Sequence, residues 1–275
     1  MRHLKPILGL PVLLLLLLGM SMNACGWGDS ASWQEEVLLH DGDTIIVERA
    51  QVYGGYSTLE SRERMLVKET WEFIIPGTKQ SVLWKNDYGK TPEKSNLMLL
   101  LLDFKYGTPY LATSPAGCIS YNIWKRPNPP YVFFKYDGKK WQQISQNEFP
   151  VEFTNSNVAV GRPDPNHRTG LLGIDTINEE NRLLEPYLRQ ILREPLKPGS
   201  PGVSCEELVR IPGGWLSPDW FTSKPNLEAC LQFCESRKIQ PQDCPCKNYF
   251  NQHGERCFKL CKISVLIVPP WLSRG

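Results

Sequence analysis

The chain has 275 residues, 41 % of them hydrophobic and 22 % charged, with 31 Lys plus Arg against 29 Asp plus Glu. That composition excludes a disordered chain and supplies a real core for one large domain or two modest ones. A formal charge of +2 lacks the basic excess of a dedicated nucleic-acid binder, and no nucleic-acid partner is assigned.

Residues 1–24 read as a secretory signal peptide. Arg2 and Lys5 precede an uncharged apolar run of 14 residues at 7–20, and small residues follow before Cys25. The run is shorter than the roughly 20 residues of a membrane-spanning helix. Met22-Asn23-Ala24-Cys25 resembles the lipobox of bacterial lipoproteins, with Met22 where the family pattern prefers Leu. In this respect the chain resembles uncharacterised proteobacterial lipoproteins. The resemblance implies cleavage after Ala24 and acylation of the Cys25 thiol, so that the lipid bilayer becomes a partner. Gly26 in the next position implies the outer membrane, with the soluble part facing the periplasm. Removing Arg2 and Lys5 leaves 29 basic against 29 acidic residues. Electrostatics then add little to the anchor, and buried acyl chains hold it.

Residues 25–34 read as a tether. Strand signals dominate 35–160: 37–40, an Asp41-Gly42-Asp43 turn, then a strand from Thr44. A longer strand over 64–75 has Trp71, Phe73 and Ile75 on one side, and 81–85 places Val82 and Trp84 together. Further strands are expected at 97–104, 109–112, 118–124, 131–136, 141–144, 149–153 and 158–160, with Asp137-Gly138 turning the clearest hairpin. The six apolar residues at 97–102 read as a buried strand. The expected fold is α+β: a mainly antiparallel sandwich or barrel-like domain followed by a small helical module stapled by disulfides.

Residues 161–201 read as loop, helix and linker. Thr176 is expected to cap a helix from Ile177, with Leu183, Leu184, Tyr187, Leu188, Ile191 and Leu192 at helical spacing and Pro186 as a possible kink. The cysteine-rich module occupies 202–275. Asn226 or Pro225 starts its first helix, and the strand-like run at 262–268 can return to pack on the main domain.

With Cys25 acylated, eight cysteines remain: Cys118, Cys205, Cys230, Cys234, Cys244, Cys246, Cys257 and Cys261. Seven of them fall in 205–261, so complete pairing requires Cys118 to bond across to that region. An exported location favours disulfides. Cys230-x3-Cys234 and Cys257-x3-Cys261 each place two thiols on one helical face, as in a twin Cx3C hairpin. Cys244 and Cys246, separated by Pro245, each pair elsewhere. The rival is zinc on Cys244, Cys246, His253 and Cys257, at a spacing that matches no common finger. Neither a metal nor a cofactor is assigned.

No elbow, zincin, phosphate-loop or dinucleotide motif occurs, so no catalytic motif is recognisable. Asp164 and His167 form the densest ionisable group on an expected loop and are the catalytic candidates. His40 with Asp41 and Asp43 reads as a turn. Tyr131, Phe133 and Trp141 are the binding candidates, on a hairpin aromatic on both sides; one side is expected under the C-terminal module, the other open as a platform. The functional expectation is a lipid-anchored envelope binding or structural protein with a protein or cell-wall partner, such as an immunity-like inhibitor. The alternative is an envelope hydrolase with a non-local carboxylate or an Asp/His site.

Overall fold

The computed structural model describes residues 30–54, 65–89, 94–161 and 170–250. Nine strands form two sheets. The first holds β1 (Ser30–Leu38), β2 (Thr44–Gly54), β3 (Met65–Ile74), β4 (Ser81–Asp87) and the short β9 (Leu171–Leu172), in the order β4-β3-β2-β1-β9. The second is an antiparallel meander of β5 (Leu97–Lys105), β6 (Thr108–Pro115), β7 (Val132–Tyr136) and β8 (Trp141–Ile144). Pairing in the first sheet is antiparallel except for β9, which runs parallel to β1.

The strict alternation of β1 to β4 creates the interface. Val37, Val47, Trp71, Phe73, Val82 and Trp84 point inward and meet Leu97, Leu99, Leu102, Phe104, Leu111 and Phe134 of the second sheet. Each fully buried side chain of this size contributes about 1.5–3 kcal/mol. The sandwich is therefore the observed form of the expected β domain.

β5 has no alternation because both its faces are covered. A bulge between Leu99 and Leu101 shifts its register. Leu97, Leu99, Leu102 and Phe104 thus face the sandwich interior, while Leu100 and Leu101 join Tyr110, Tyr131, Phe133, Phe149, Phe153 and Ile191 in a second core on the opposite face.

The turns follow their sequence chemistry. Gly42 and Gly138 both adopt positive φ, at 93° each, where glycine alone carries no steric penalty. Asp137 accepts from the backbone N–H groups of Lys139 and Lys140 at 2.9 and 2.8 Å.

Several expected elements differ. Ser30 to Gln34 belong to β1 rather than to a tether. The strand expected at 118–124 is helix α1 (Cys118–Ile123), which Gly117 starts at a φ of 91°. The span 149–153 is a turn: Phe149 and Phe153 both enter the second core while Val151 is 77 % exposed. Pro150 has no N–H to give to a ladder. No strand forms at 158–160, where Val158 and Ala159 are buried in an irregular segment.

Helix α2 (Ile174–Arg182) starts at Gly173, so Thr176 lies inside it rather than capping it. It stops short of the Leu-rich stretch, and Leu183 is 78 % exposed. Pro186 opens a separate turn, α3 (Pro186–Arg189). A proline there would clash with the carbonyl four residues back in a continuous helix.

The C-terminal module carries the hairpin β10 (Val209–Ile211) and β11 (Gly214–Leu216), then α4 (Asp219–Thr222), α5 (Leu227–Ser236) and α6 (Cys246–Tyr249). Asn226 caps α5, its side-chain oxygen accepting from the Ala229 N–H at 2.9 Å. Phe221, Ile239 and Phe250 pack there against Cys230, Cys234 and Cys246. No helix among the described residues is long and apolar enough to cross a membrane. The run at 262–268 lies outside the described residues.

Candidate functional site

Six cysteines form three pairs at disulfide-bonding distance: Cys118 with Cys205, Cys230 with Cys246, and Cys234 with Cys244. The first spans 87 residues and fastens the chain after the linker to α1. Around it, Asn122 donates to the Glu206 carbonyl at 2.9 Å and Arg126 to the Cys205 carbonyl at 2.7 Å. The first Cx3C pair bonds to Cys244 and Cys246 rather than to a second Cx3C helix. Cys25, His253, Cys257 and Cys261 lie outside the described residues, as do the catalytic candidates Asp164 and His167.

The aromatic hairpin is not a platform. Tyr131 and Phe133 are buried under residues 149–192, with Phe133 stacked on Phe149 at 4.4 Å, so the cover is not the C-terminal module. The Tyr131 hydroxyl lies 2.8 Å from the carbonyls of both Tyr187 and Gln190, and it accepts from the Leu192 N–H at 3.1 Å. Burial pushes that phenol up to about 12, against the Leu192 hydrogen bond. Trp141 is half-buried, 5.5 Å from the Trp84 ring, and donates its indole N–H to the Leu83 carbonyl at 3.2 Å. Aromatics on both sides of this hairpin reflect a sheet covered on both faces.

Two polar arrangements were not visible in the sequence. The first is a pair 63 residues apart: His40 Nδ1 stands 2.8 Å from Asp103 Oδ1. The turn after β1 delivers His40, and β5 delivers Asp103. The carboxylate also accepts from the backbone N–H groups of His40 and Phe104 at 2.9 and 2.7 Å. Burial holds the Asp103 carboxyl above its ordinary value, and these hydrogen bonds oppose that rise. When the Asp103 carboxylate faces the neutral ring, Nδ1 donates to it and Nε2 is left as the acceptor nitrogen. The ring edge rests on Phe153, with centroids 4.9 Å apart. His40 opens onto a cavity of about 400 Å³ that Asp103, Glu152, Asn155, Asn157 and Ile177 also line. A carboxylate–imidazole order of this kind can orient a general base. The one signal for it was an aspartate inside an apolar strand, since a buried charge requires partners.

The second arrangement divides the five-stranded sheet. Beyond its apolar half, the inner face carries Glu35, Arg49, Gln51 and Glu69, all buried. Arg49 donates to Glu35 at 2.9 Å, to Glu69 at 2.8 Å, and to the carbonyls of Ala159 and Gly161 at 2.6 Å each. Its guanidinium lies 4.1 Å from the Trp71 ring and 5.0 Å from the Trp33 ring. Burial pulls the guanidinium down, but Glu69 and Glu35 outweigh it and hold Arg49 above its ordinary value.

Among the described residues nothing covers the outer face of the same sheet. Ile46, Ile74 (57 % exposed), Leu83 and Leu38 are exposed apolar residues there. Beside them Glu48 stands directly opposite Glu72 across β2 and β3. Like charges directly opposite one another across two strands are destabilising. Among the described residues Glu48 accepts a long bond from Gln34 at 3.4 Å, and Glu72 accepts from Ser81 at 2.6 Å. Ser32, Ala50 and Thr70 floor a recess of about 400 Å³ next to these acids.

Comparison with protein-family models, curated proteins and solved structures finds no match.

Proposed function

We propose that the chain is a lipid-anchored binding protein of the cell envelope, held through Cys25 in the outer membrane and facing the periplasm. An immunity-like inhibitor of a toxin is its most concrete form. The leader pattern and the abundance of bonding-distance cysteine pairs support export into an oxidising compartment. The observation that carries the binding role is the outer face of the five-stranded sheet. It joins exposed Ile46, Ile74 and Leu83 to two like charges, Glu48 and Glu72, set opposite one another across β2 and β3. Residues that break a local rule concentrate at functional positions.

The experiment is photo-cross-linking in intact cells, with a benzophenone side chain at position 74 or 83 and a control at position 183. A discrete partner adduct from the sheet positions and none from the control is expected. No adduct from either sheet position overturns the binding role. The His40–Asp103 pair favours the alternative, an envelope hydrolase. On that account His40→Gln and Asp103→Asn abolish the biological phenotype while Ile74→Asp leaves it intact. Binding through the sheet face requires the reverse.

A further inference from the structure

The two cysteine pairs of the C-terminal module do not lie apart. Cys246 Sγ is 3.3 Å from Cys244 Sγ and 3.6 Å from Cys234 Sγ, although it is bonded to neither. The sulfurs of Cys234, Cys244 and Cys246 all fall within 4.8 Å of one another. The one-turn step on α5 and the Cys244-Pro245-Cys246 step set the two bridges side by side, and Cys230, bonded to Cys246, adds a fourth sulfur at the edge of this group of three. Tetrahedral zinc uses four sulfurs at similar spacing: a Zn–S distance of about 2.3 Å places neighbouring sulfurs about 3.8 Å apart.

Local structure explains the cluster. Cys230 and Cys234 are one turn apart on α5 and share its buried face. Cys246 opens α6, and the intervening Pro245 leaves Cys244 beside it. Phe221, Ile239 and Phe250 enclose the sulfurs in an apolar shell, while Cys244 remains half-buried and gives access.

The geometry points to a redox-gated zinc site made by Cys230, Cys234, Cys244 and Cys246. In the oxidised chain the four sulfurs are two bridges and bind no metal. Two equivalents of a dithiol reduce them: each transfers two electrons and two protons, one S–S bond breaks, and the dithiol leaves as its own disulfide. Zinc then displaces four thiol protons and binds four thiolates. An all-sulfur set selects a soft cation over magnesium or calcium. The same quartet therefore staples the module in either redox state. This site differs from zinc on Cys244, Cys246, His253 and Cys257, because its other ligands come from α5.

The test uses the full chain from residue 25, with Cys25→Ser in place of the acylated cysteine. The protein is reduced with dithiothreitol, freed of reductant under anaerobic conditions and titrated with Co²⁺. A thiolate-to-cobalt charge-transfer band saturating at one equivalent is expected. Zn²⁺ should bleach it, and diamide oxidation should release the metal. Cys234→Ser or Cys244→Ser should weaken binding at least tenfold, about the loss of 1.4 kcal/mol. Cys257→Ser with Cys261→Ser, and Cys118→Ser with Cys205→Ser, should leave the titration unchanged.

The proposal is overturned if no band appears, if the oxidised chain binds equally, or if the Cys257/Cys261 variant loses the site. Should the reduced chain be unfolded, zinc must restore its near-ultraviolet circular dichroism. Failure to restore it also overturns the proposal.

Discussion

Arg49→Met isolates the buried ionic half of the sandwich. The substitution keeps an unbranched side chain between Trp33 and Trp71 but removes every donor of the guanidinium. Glu35 and Glu69 lose their counter-charge, and the carbonyls of Ala159 and Gly161 lose a donor. Removing one partner of a buried ion pair costs about 3–5 kcal/mol. Each orphaned carbonyl adds about 1 kcal/mol, and retained packing of the methionine offsets part of that. A net loss of about 4–6 kcal/mol is expected, a large share of a total that is typically about 5–15 kcal/mol. The assay is urea unfolding of the oxidised chain, followed by tryptophan fluorescence. Arg49→Met/Glu69→Gln should recover about 1–2 kcal/mol, because one uncompensated charge is gone. A loss below about 1 kcal/mol in the single variant, or no recovery in the double, would refute the reasoning.

Asp103→Asn places an amide group against the two backbone N–H groups and His40, and should cost about 1–3 kcal/mol by thermal melting. Because the native Asp103 carboxyl titrates above its ordinary value of 3.8, its stabilising share is present below that value and lost as pH rises through the native titration. The variant should lack this slope, and an unchanged slope would count against the geometry. Tyr131→Phe should cost about 1–2 kcal/mol at neutral pH. Between the ordinary phenol value of 10 and about 12, the wild type should lose stability that Tyr131→Phe retains, read by unfolding at alkaline pH. Cys118→Ser with Cys205→Ser should lower stability by about 4–5 kcal/mol for a loop this long, read from the urea midpoint. Glu48→Lys should raise the melting temperature through a gain of about 0.5–1 kcal/mol, while abolishing the partner adduct from position 74.

What was legible in the sequence was local. Asp41-Gly42 and Asp137-Gly138 marked turns, because glycine takes the positive φ they require without steric penalty. Alternation in β3 and β4 marked the inward face correctly. Legibility failed where a residue's fate depended on a distant partner. Phe149 and Phe153 looked like alternate residues of a strand, yet both bury in one turn against a sheet face that also needs covering. Tyr131 and Phe133 were readable as aromatic but not as covered, since their cover comes from residues 149–192. Asp103 signalled itself only as a charge within leucines, and His40 is 63 positions away. Cys118 was forced toward the C-terminal region by parity, but parity could not choose Cys205. The pairing of Cys230 and Cys234 with the Cys244–Cys246 step depends on how α5 meets α6.

The most direct test of the envelope account is the intact mass of the native protein extracted from membranes, alkylated with and without prior reduction. A chain beginning at Cys25 with an acyl adduct, and eight thiols that label only after reduction, is the expected result. An unacylated chain, or several thiols that label without reduction, would contradict it.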